Sequence, residues 1–424
     1  MRSCEGKQGE SGLCDAERAA LRNERLAKLL RHCRNTVPRW KSALGSGEIT
    51  NANVMEIHRS LPLMSRADVQ ANPRDFIASG ATDSVPDATG GSSGTPMRFQ
   101  VDRATQIARE SSLMWADGLA GWQPGERIAM LWGSEKDLGS AVRSFRLRLR
   151  WIIDNRRWYN AFDMEPATMS GFHEDMQQFR PHILVAYASA LRSFAGFLRE
   201  AKEVPRYPLR AVISSAEVMN DSVRRFVEEI FPAPVFDRYG NREFGAIAAE
   251  CEAHDGRHVN ESDVLLEILS PEPERVPGPI VVTYLHNFAM PFIRYDTGDC
   301  GTWLPPARCR CGRTTSRIGR IEGRSSDIIR TSEGKMIHGE YFSRLLYGTN
   351  GVRQFQFVQD SPSEYRLLLL VDSARYAGSE DERIRAALVS ALGARARIRI
   401  EHVEELRPLT SGKRRFTVSK LGGD

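Results

Sequence analysis

The chain has 424 residues, a formal net charge of +5, 41% hydrophobic residues and 27% charged ones. That length exceeds one ordinary core and implies more than one domain, while the balance excludes a disordered or collagen-like chain. The small, dispersed charge argues against a dedicated polyanion binder. No run of eighteen apolar residues offers a membrane span, and seven cysteines suit metal ligands and free thiols better than a disulfide framework.

Residues 1–13 are polar and glycine-rich, with no apolar stretch of a signal peptide, so a cytoplasmic protein is expected. Leu21, Leu26, Leu29 and Leu30 recur at helical spacing up to Arg34, and Val37-Pro38 ends that helix. Residues 79–96 (SGATDSVPDATGGSSGTP) read as a long loop. Arg127–Trp132, His182–Val185 and Leu209–Ser214 read as strands. They alternate with helices at Ala190–Ala201 and Ser222–Phe231, the pattern of a parallel or mixed sheet under helices. The basic run Arg143–Arg157 reads as a helix with a solvated face and with Leu147, Leu149 and Ile152 turned inward. Past Tyr239, short strands at Val264–Leu269, Ile280–Leu285 and Thr302–Leu304 lie between Pro-rich turns and suggest a β-rich unit. From Ile328–Ile329 onward, strands at Phe355–Val358, Tyr365–Val371 and Ile398–Val403 with a helix at Glu380–Leu392 suggest a small α+β domain.

Five segments carry candidate chemistry, and each has a bland alternative. Thr89-Gly90-Gly91-Ser92-Ser93-Gly94-Thr95 offers backbone N–H groups and hydroxyls to an anion, or is a linker; with no Gly-Lys-Ser/Thr it is not a Walker loop. Tyr239-Gly240-Asn241-Arg242-Glu243 sets an aromatic ring before a glycine turn and a carboxylate four residues on, suited to a flat ring and a divalent metal, or is a surface turn. Thr297-Gly298-Asp299 can present a carboxylate to two ribose hydroxyls, or is a hairpin turn. Gly319 to Asp327, with two Gly-Arg pairs, reads as a turn between domains or a charged loop, and Thr410-Ser411-Gly412-Lys413 puts a lysine on a mobile turn or a solvated tail.

Taken in this order and spacing, the five segments resemble the adenylate-forming ligase superfamily. Leu61-Pro62, Asn72-Pro73, Arg180-Pro181-His182-Ile183-Leu184 and Ser214-Ser215-Ala216-Glu217 look like the phenylacetate–CoA ligase-like branch and its capsular polysaccharide biosynthesis-type group. The resemblance runs from about residue 15 to the end. It implies an α/β (α+β) fold: a large N-terminal domain of mixed sheets with packed helices (1–322) containing a β-rich subdomain near 245–318, a hinge at 323–326, and a small mobile C-terminal lid domain (327–424). It implies an enzyme that forms an acyl-AMP from ATP and a carboxylic acid, releasing pyrophosphate. The acyl group then passes to a thiol, that of coenzyme A or of a carrier protein; an amine or hydroxyl acceptor is the alternative.

By the same resemblance Thr89 to Thr95 cover the phosphates. Ser215, Ala216 and Glu217 edge the adenine, Tyr239 with Gly240 and Asn241 stacks on it, and Asp299 and Arg324 hold the ribose. Glu243 carries Mg²⁺, and Lys413 stabilises the charge developing at the α-phosphate. Trp132, Gly133, Tyr187 and Ser214 line the acid pocket, with a flat or aromatic acid favoured over a long fatty one. Two positions depart from the pattern: Thr95 stands where many relatives carry Lys, and Arg242 where they carry Thr, putting a guanidinium near the phosphates or the acyl group.

Cys251, His258, Cys309 and Cys311 form a possible tetrahedral set of three thiolates and an imidazole, read as a structural zinc site, with His254 and Cys300 as competing ligands. Many members of the branch carry such a set. The other readings are a zinc-stabilised nucleic-acid binder using Arg143–Arg157, which the ordered motifs disfavour, and a degenerate member, which Glu243, Asp299 and Lys413 together disfavour. No nucleic-acid partner is expected; relatives are often homodimers.

Overall fold

The computed structural model describes residues 13–89, 97–133, 154–161, 163–324, 329–333, 336–337, 339–347, 349–406 and 416–421. The chain crosses three times between two units, one made of residues 1–123 and 236–321, the other of residues 124–235 and 322–424.

Helix α1 (Asp15–Thr36) forms where the leucine spacing predicts it and buries Leu26, Leu29, Leu30 and Cys33. The helix ends just before Val37-Pro38, and Pro38 opens the next element. It sits at N1 of a second helix, α2 (Pro38–Ala43), where its missing N–H costs nothing. Helices α3 (Val54–Ser60) and α4 (Arg66–Ala71) follow, the latter closed by a Ser65–Asp68 capping box. Part of the expected loop 79–96 is a strand: β1 (Ser84–Ala88) pairs antiparallel with β2 (Arg98–Asp102). Pro86 is tolerated because β1 has a partner on one side only in this two-stranded sheet. Asp102 then caps α5 (Arg103–Leu119) by accepting from Thr105 N at 2.7 Å.

The second unit opens with strands β3 (Ile128–Trp132) and β4 (Arg156–Asn160), helix α6 (Pro166–Phe179), strand β5 (Ile183–Ala186), helix α7 (Ala188–Ala201), strand β6 (Ala211–Ser215) and helix α8 (Asp221–Ile230). The strands stand in the order β6-β5-β3-β4 and run parallel. Burial of β3, β5 and β6 fits their unbroken apolar runs. Arg156 and Arg157, expected at the end of a basic helix, lie in β4 instead. The rest of that run to 153 lies outside the described residues.

The first unit resumes with β7 (Val235–Asn241), β8 (Gly245–Glu250), β9 (Arg257–Val259), β10 (Val264–Ile268), β11 (Gly278–Tyr284), β12 (Tyr295–Trp303) and β13 (Arg317–Arg324), in the sheet order β10-β11-β12-β13-β9-β8-β7. The expected short strand at Thr302–Leu304 is the tail of the longer β12. The core of this unit joins Leu26, Leu29, Leu30 and Trp40 to Phe244, Tyr284, Phe292 and Tyr295.

The second unit ends in β14 (Ile329–Arg330), β15 (Met336–Ile337), helix α9 (Gly339–Tyr347), strands β16 (Val352–Ser361) and β17 (Glu364–Val371), helix α10 (Ser379–Leu392), and strands β18 (Arg397–His402) and β19 (Thr417–Ser419). The four-stranded order is β18-β17-β16-β19, the expected α+β pattern. Phe342, Phe357 and Leu367 centre its core. Arg192 of α7 donates to the carbonyls of Val352 (2.9 Å) and Arg353 (2.7 Å), which ties this part to the parallel sheet's helices. Among the described residues no helix is long and apolar enough to cross a membrane.

Candidate active site and metal centre

In the second unit, the candidate acid and adenine residues gather where β3, β5 and β6 end. The carboxyl edge of parallel strands is where such sheets bind ligands. The register aligns Leu131 with Ala186 and Ala186 with Ser214. One residue further on, the rings of Trp132 and Tyr187 meet at 4.2 Å, and the Tyr187 hydroxyl donates to Gly133 O at 3.0 Å. This bond fixes the aromatic pair as a wall. Ser214 is fully buried, and its hydroxyl has no hydrogen-bond partner among the described residues.

Ser215, Ala216 and Glu217 form the turn after β6. Ala216 has φ +69°, the left-handed region that costs a residue with a Cβ about 1 kcal/mol or more. The Glu217 carboxylate holds the turn in place. It accepts from Ser189 N (2.7 Å) and Ser189 Oγ (3.0 Å) at the start of α7, meeting N–H groups the helix leaves unpaired.

In the first unit, β7 and β8 are joined by the turn Arg242-Glu243-Phe244, closed by Gly245 at φ +78°. Phe244 drives the turn into the core, with its ring 5.4 Å from Tyr284 and 5.5 Å from Phe292. Asn241 Oδ1 accepts from Phe244 N at 2.9 Å. Gly240 is obligatory, since a Cβ there would come 2.2 Å from Gly245 O. Glu243 is buried, a hard oxygen donor of the kind Mg²⁺ takes one or two of beside phosphate oxygens.

Asp299 does not sit on a hairpin turn. It lies within β12, where Thr297, Gly298 and Asp299 together oppose the single residue Ile280. Gly298 takes φ +76° and Thr297 Oγ1 donates to Ile280 O at 2.8 Å, so the strand bulges. The bulge turns Asp299 toward β7, and the Tyr239 hydroxyl donates to Asp299 Oδ2 at 2.8 Å. Aromatic ring and carboxylate, 60 residues apart in sequence, thus form one hydrogen-bonded pair.

Thr89 closes the neck of the glycine-rich loop: its N–H donates to Met97 O (2.9 Å) and its Oγ1 accepts from Met97 N (3.0 Å). Gly90, Gly91, Ser92, Ser93, Gly94 and Thr95 lie outside the described residues, as do Lys413, the hinge residues 325 and 326, and the side chain of Arg324. Arg242 reaches back to that neck. Its Nη1 donates to Ala88 O at 3.4 Å and lies 4.0 Å from Asp87, a carboxylate that also pairs with Arg109 at 2.8 Å. Sequence reasoning missed Asp87 and Arg109 beside Arg242 in the first unit, and Ser189 beside Glu217 in the second, because only the pairing of distant segments brings them together.

The four proposed metal ligands converge. The thiol sulfurs of Cys251, Cys309 and Cys311 and a ring nitrogen of His258 all lie within 4.8 Å of one another. The separations are 3.8 Å for Cys251–Cys309 and 3.4 Å for Cys311 to His258 Nε2. Zinc–ligand bonds of about 2.3 Å to sulfur and about 2.1 Å to nitrogen give tetrahedral edges near 3.8 and 3.6 Å, so the donor set fits that ion. A disulfide would need a sulfur separation of about 2.05 Å.

Cys251 follows β8 and His258 lies on β9. Cys309 and Cys311 sit on a knuckle between β12 and β13, shaped by Gly312 at φ +90°. His258 Nδ1 bonds Thr315 Oγ1 at 2.8 Å, which turns Nε2 toward the thiols. Burial, aided by Arg313 and Arg317, lowers the His258 pKa to about 4 and keeps the ring neutral and able to ligate. Neither competing ligand belongs to the cluster: His254 packs on Phe236 and contacts Glu250, and Cys300 lies on β12.

Residues 329–420 match the family described as CapK C-terminal domain. The chain is similar to Protein CapK of Staphylococcus aureus, 20% identical over 389 residues, covering 90% of this chain and 83% of that protein. It is also similar to a phenylacetate-coenzyme A ligase of Thermus thermophilus, 32% identical over 163 residues, 36% of each chain. A crystal structure of 2-hydroxyisobutyryl-CoA ligase in the postadenylation state superposes with a TM-score of 0.76 at 20% identity, covering 96% of this chain and 91% of the other. The mixed α/β fold is that of the adenylate-forming ligases.

Proposed function

We propose that this chain, CapK-like in sequence and an adenylate-forming ligase in fold, activates a carboxylic acid with ATP as an acyl-AMP. The observation that carries the reading is the Tyr239–Asp299 pair, an aromatic face and a carboxylate joined by the β12 bulge, on the strand that leads into the turn of the buried Glu243. The resemblance to a phenylacetate-coenzyme A ligase supports it.

In this reading Tyr239, flanked by Gly240 and Asn241, stacks on adenine, and Ser215, Ala216 and Glu217 edge it. Asp299 and Arg324 take the ribose hydroxyls. Thr89 and the loop residues after it bind phosphate through backbone N–H groups, and Arg242 supplies positive charge at the loop's base. Glu243 holds Mg²⁺, which offsets phosphate repulsion when bound. The acid lies by Trp132, Gly133, Tyr187 and Ser214, its carboxylate oxygen attacking the α-phosphorus as pyrophosphate leaves. Lys413 stabilises the charge that develops there. A thiol, that of coenzyme A or a carrier protein, then receives the acyl group and AMP leaves. Residues 327–424 act as the lid that carries Lys413 in and out, turning about 323–326. The Cys251, His258, Cys309 and Cys311 cluster holds a structural zinc ion: with four protein ligands it has no open position for catalysis.

The test is pyrophosphate release from ATP and Mg²⁺ with a panel of aromatic, aliphatic and amino acids, wild type beside Lys413→Ala. Release that needs one class of acid and is lost in Lys413→Ala is expected. Equal release by both proteins removes the lysine's role, and silence of wild type without ATP binding by calorimetry removes the activity.

A further inference from the structure

Strand β16 places Phe355, Phe357 and Gln359 on its core face, and Gln359 is fully buried. An amide where the period-2 pattern calls for an apolar side chain demands partners. It has two, from opposite ends of the C-terminal part of the chain. Gln359 Nε2 donates to Arg330 O at 2.6 Å, and Gln359 Oε1 accepts from Ser419 Oγ at 2.9 Å. Arg330 lies in β14, a few residues past the segment read as the hinge. Ser419 lies in β19, a few residues past the segment that holds Lys413.

Strand β19 needs such help. It has three residues and pairs with β16 alone, at the edge of its sheet. The backbone adds Phe357 N to Phe416 O at 2.7 Å and Lys420 N to Gln359 O at 3.0 Å, and Lys420 also pairs with Asp360 next along β16.

We propose that Gln359 is a positioning residue that clamps the strand leaving the hinge to the strand leaving the lysine loop, so that rotation at the hinge carries Lys413 without slack. This rests on the adenylation reading for the lysine's role, and the clamp itself rests on the two hydrogen bonds. An apolar residue of the same size would fill the core equally well and would leave Arg330 O and Ser419 Oγ without their partner. Strand β19 would then be held by its three-residue pairing with β16 and one surface ion pair.

The test compares Gln359→Leu and Ser419→Ala with wild type in the full chain. One readout is trypsin cleavage at Lys413, Arg414 and Arg415, which the clamp slows. The other is the ratio of the half-reactions: pyrophosphate release, which uses Lys413, against acyl transfer to thiol from supplied acyl-AMP, which does not. A misplacement near 1 Å costs about 100-fold. The expected result is faster cleavage at 413–415 at a melting temperature close to wild type. Pyrophosphate release should fall about 10- to 100-fold while acyl transfer stays within about twofold. Unchanged cleavage, or equal loss of both half-reactions, overturns the clamp. If Gln359→Leu does not fold, Ser419→Ala, which deletes one hydroxyl, decides the matter alone. If wild type releases no pyrophosphate with any acid, the adenylation reading fails, and cleavage at 413–415 still tests the clamp.

Discussion

Replacing Cys309 by serine tests the metal centre most directly. The two close contacts of the cluster join residues 58 apart (Cys251–Cys309) and 53 apart (His258–Cys311). Closing a loop of that size in the unfolded chain costs about 4 kcal/mol of chain entropy in the cross-link model. That is an upper figure, because β9 already pairs with β13 next to the cluster, with His258 opposite Arg317. For a folding unit of about 200 residues each kcal/mol moves the melting temperature by about 2–4 °C. Loss of the metal should therefore lower it by up to about 8–16 °C. The assay is thermal melting alongside elemental analysis of the purified protein. Wild type should carry about one zinc per chain, Cys309→Ser much less, and wild type treated with a strong chelator should melt with the variant. Full zinc content in Cys309→Ser, or zinc loss without any change in melting, would refute the reasoning.

Asp299→Ala should raise the apparent KM for ATP about 10-fold or more, by deleting charge-assisted hydrogen bonds, and leave the KM for the acid unchanged; an effect on the acid alone contradicts the ribose role. Arg242→Thr should raise the KM for ATP and lower pyrophosphate release at saturating ATP, and a change confined to the acid would move the guanidinium to the acyl side. His58 is buried against Thr283 Oγ1 at 2.8 Å, and burial, then Arg294 and Arg59, lowers its pKa to about 3, with Glu267 4.0 Å away. Its folded pKa lies below the unfolded value near 6.5, so its contribution to stability is present above that pH and is lost as pH falls toward 3. Denaturant melts between pH 7 and 4 should show a slope of up to about 1.4 kcal/mol per pH unit that His58→Gln removes; an unchanged slope rejects the assignment.

What the sequence made legible depended on whether the cause was local. The leucines of α1 and the unbroken apolar runs of β3, β5 and β6 announce themselves by spacing, and the structure keeps them almost to the residue. Strand β1 did not, because Ser84-Val85-Pro86-Asp87-Ala88 is polar and carries proline; it is a strand only because β2 stands beside it. Strand β12 looked short because its bulge breaks the alternation at Gly298 and Asp299. The cluster of Cys251, His258, Cys309 and Cys311 was legible as chemistry. The choice of His258 over His254 was made from the sequence, and the pairing of β8 with β9, which sets Ala249 opposite His258, is what carries it to the thiols. Glu217 as the cap of α7 was beyond sequence reading, since Ser189 is 28 residues away.

The same contrast between local and distant causes applies to Arg242, which lies beside the neck of the glycine-rich loop rather than on a bare surface turn. Glu243 and Arg242 are neighbours on a three-residue turn, and Phe244, locked among Tyr284, Phe292 and Tyr295, removes that turn's freedom. Arg242 projects from this fixed base to Ala88 O, one residue before the Thr89–Met97 neck. The Asp87 carboxylate there already accepts from Ala88 N at 2.8 Å and from Arg109 at 2.8 Å, so its charge is shared between two guanidinium groups. Arg109 and Arg242 thus stand with Asp87 at the base of a loop whose residues from Thr89 to Thr95 include no lysine or arginine. A loop of glycines and hydroxyls can surround a phosphate but cannot neutralise it. In the proposed reading Arg242 is the cation that does so from the stem, on a turn anchored by Phe244, where a lysine on the loop would have to be ordered each time it bound.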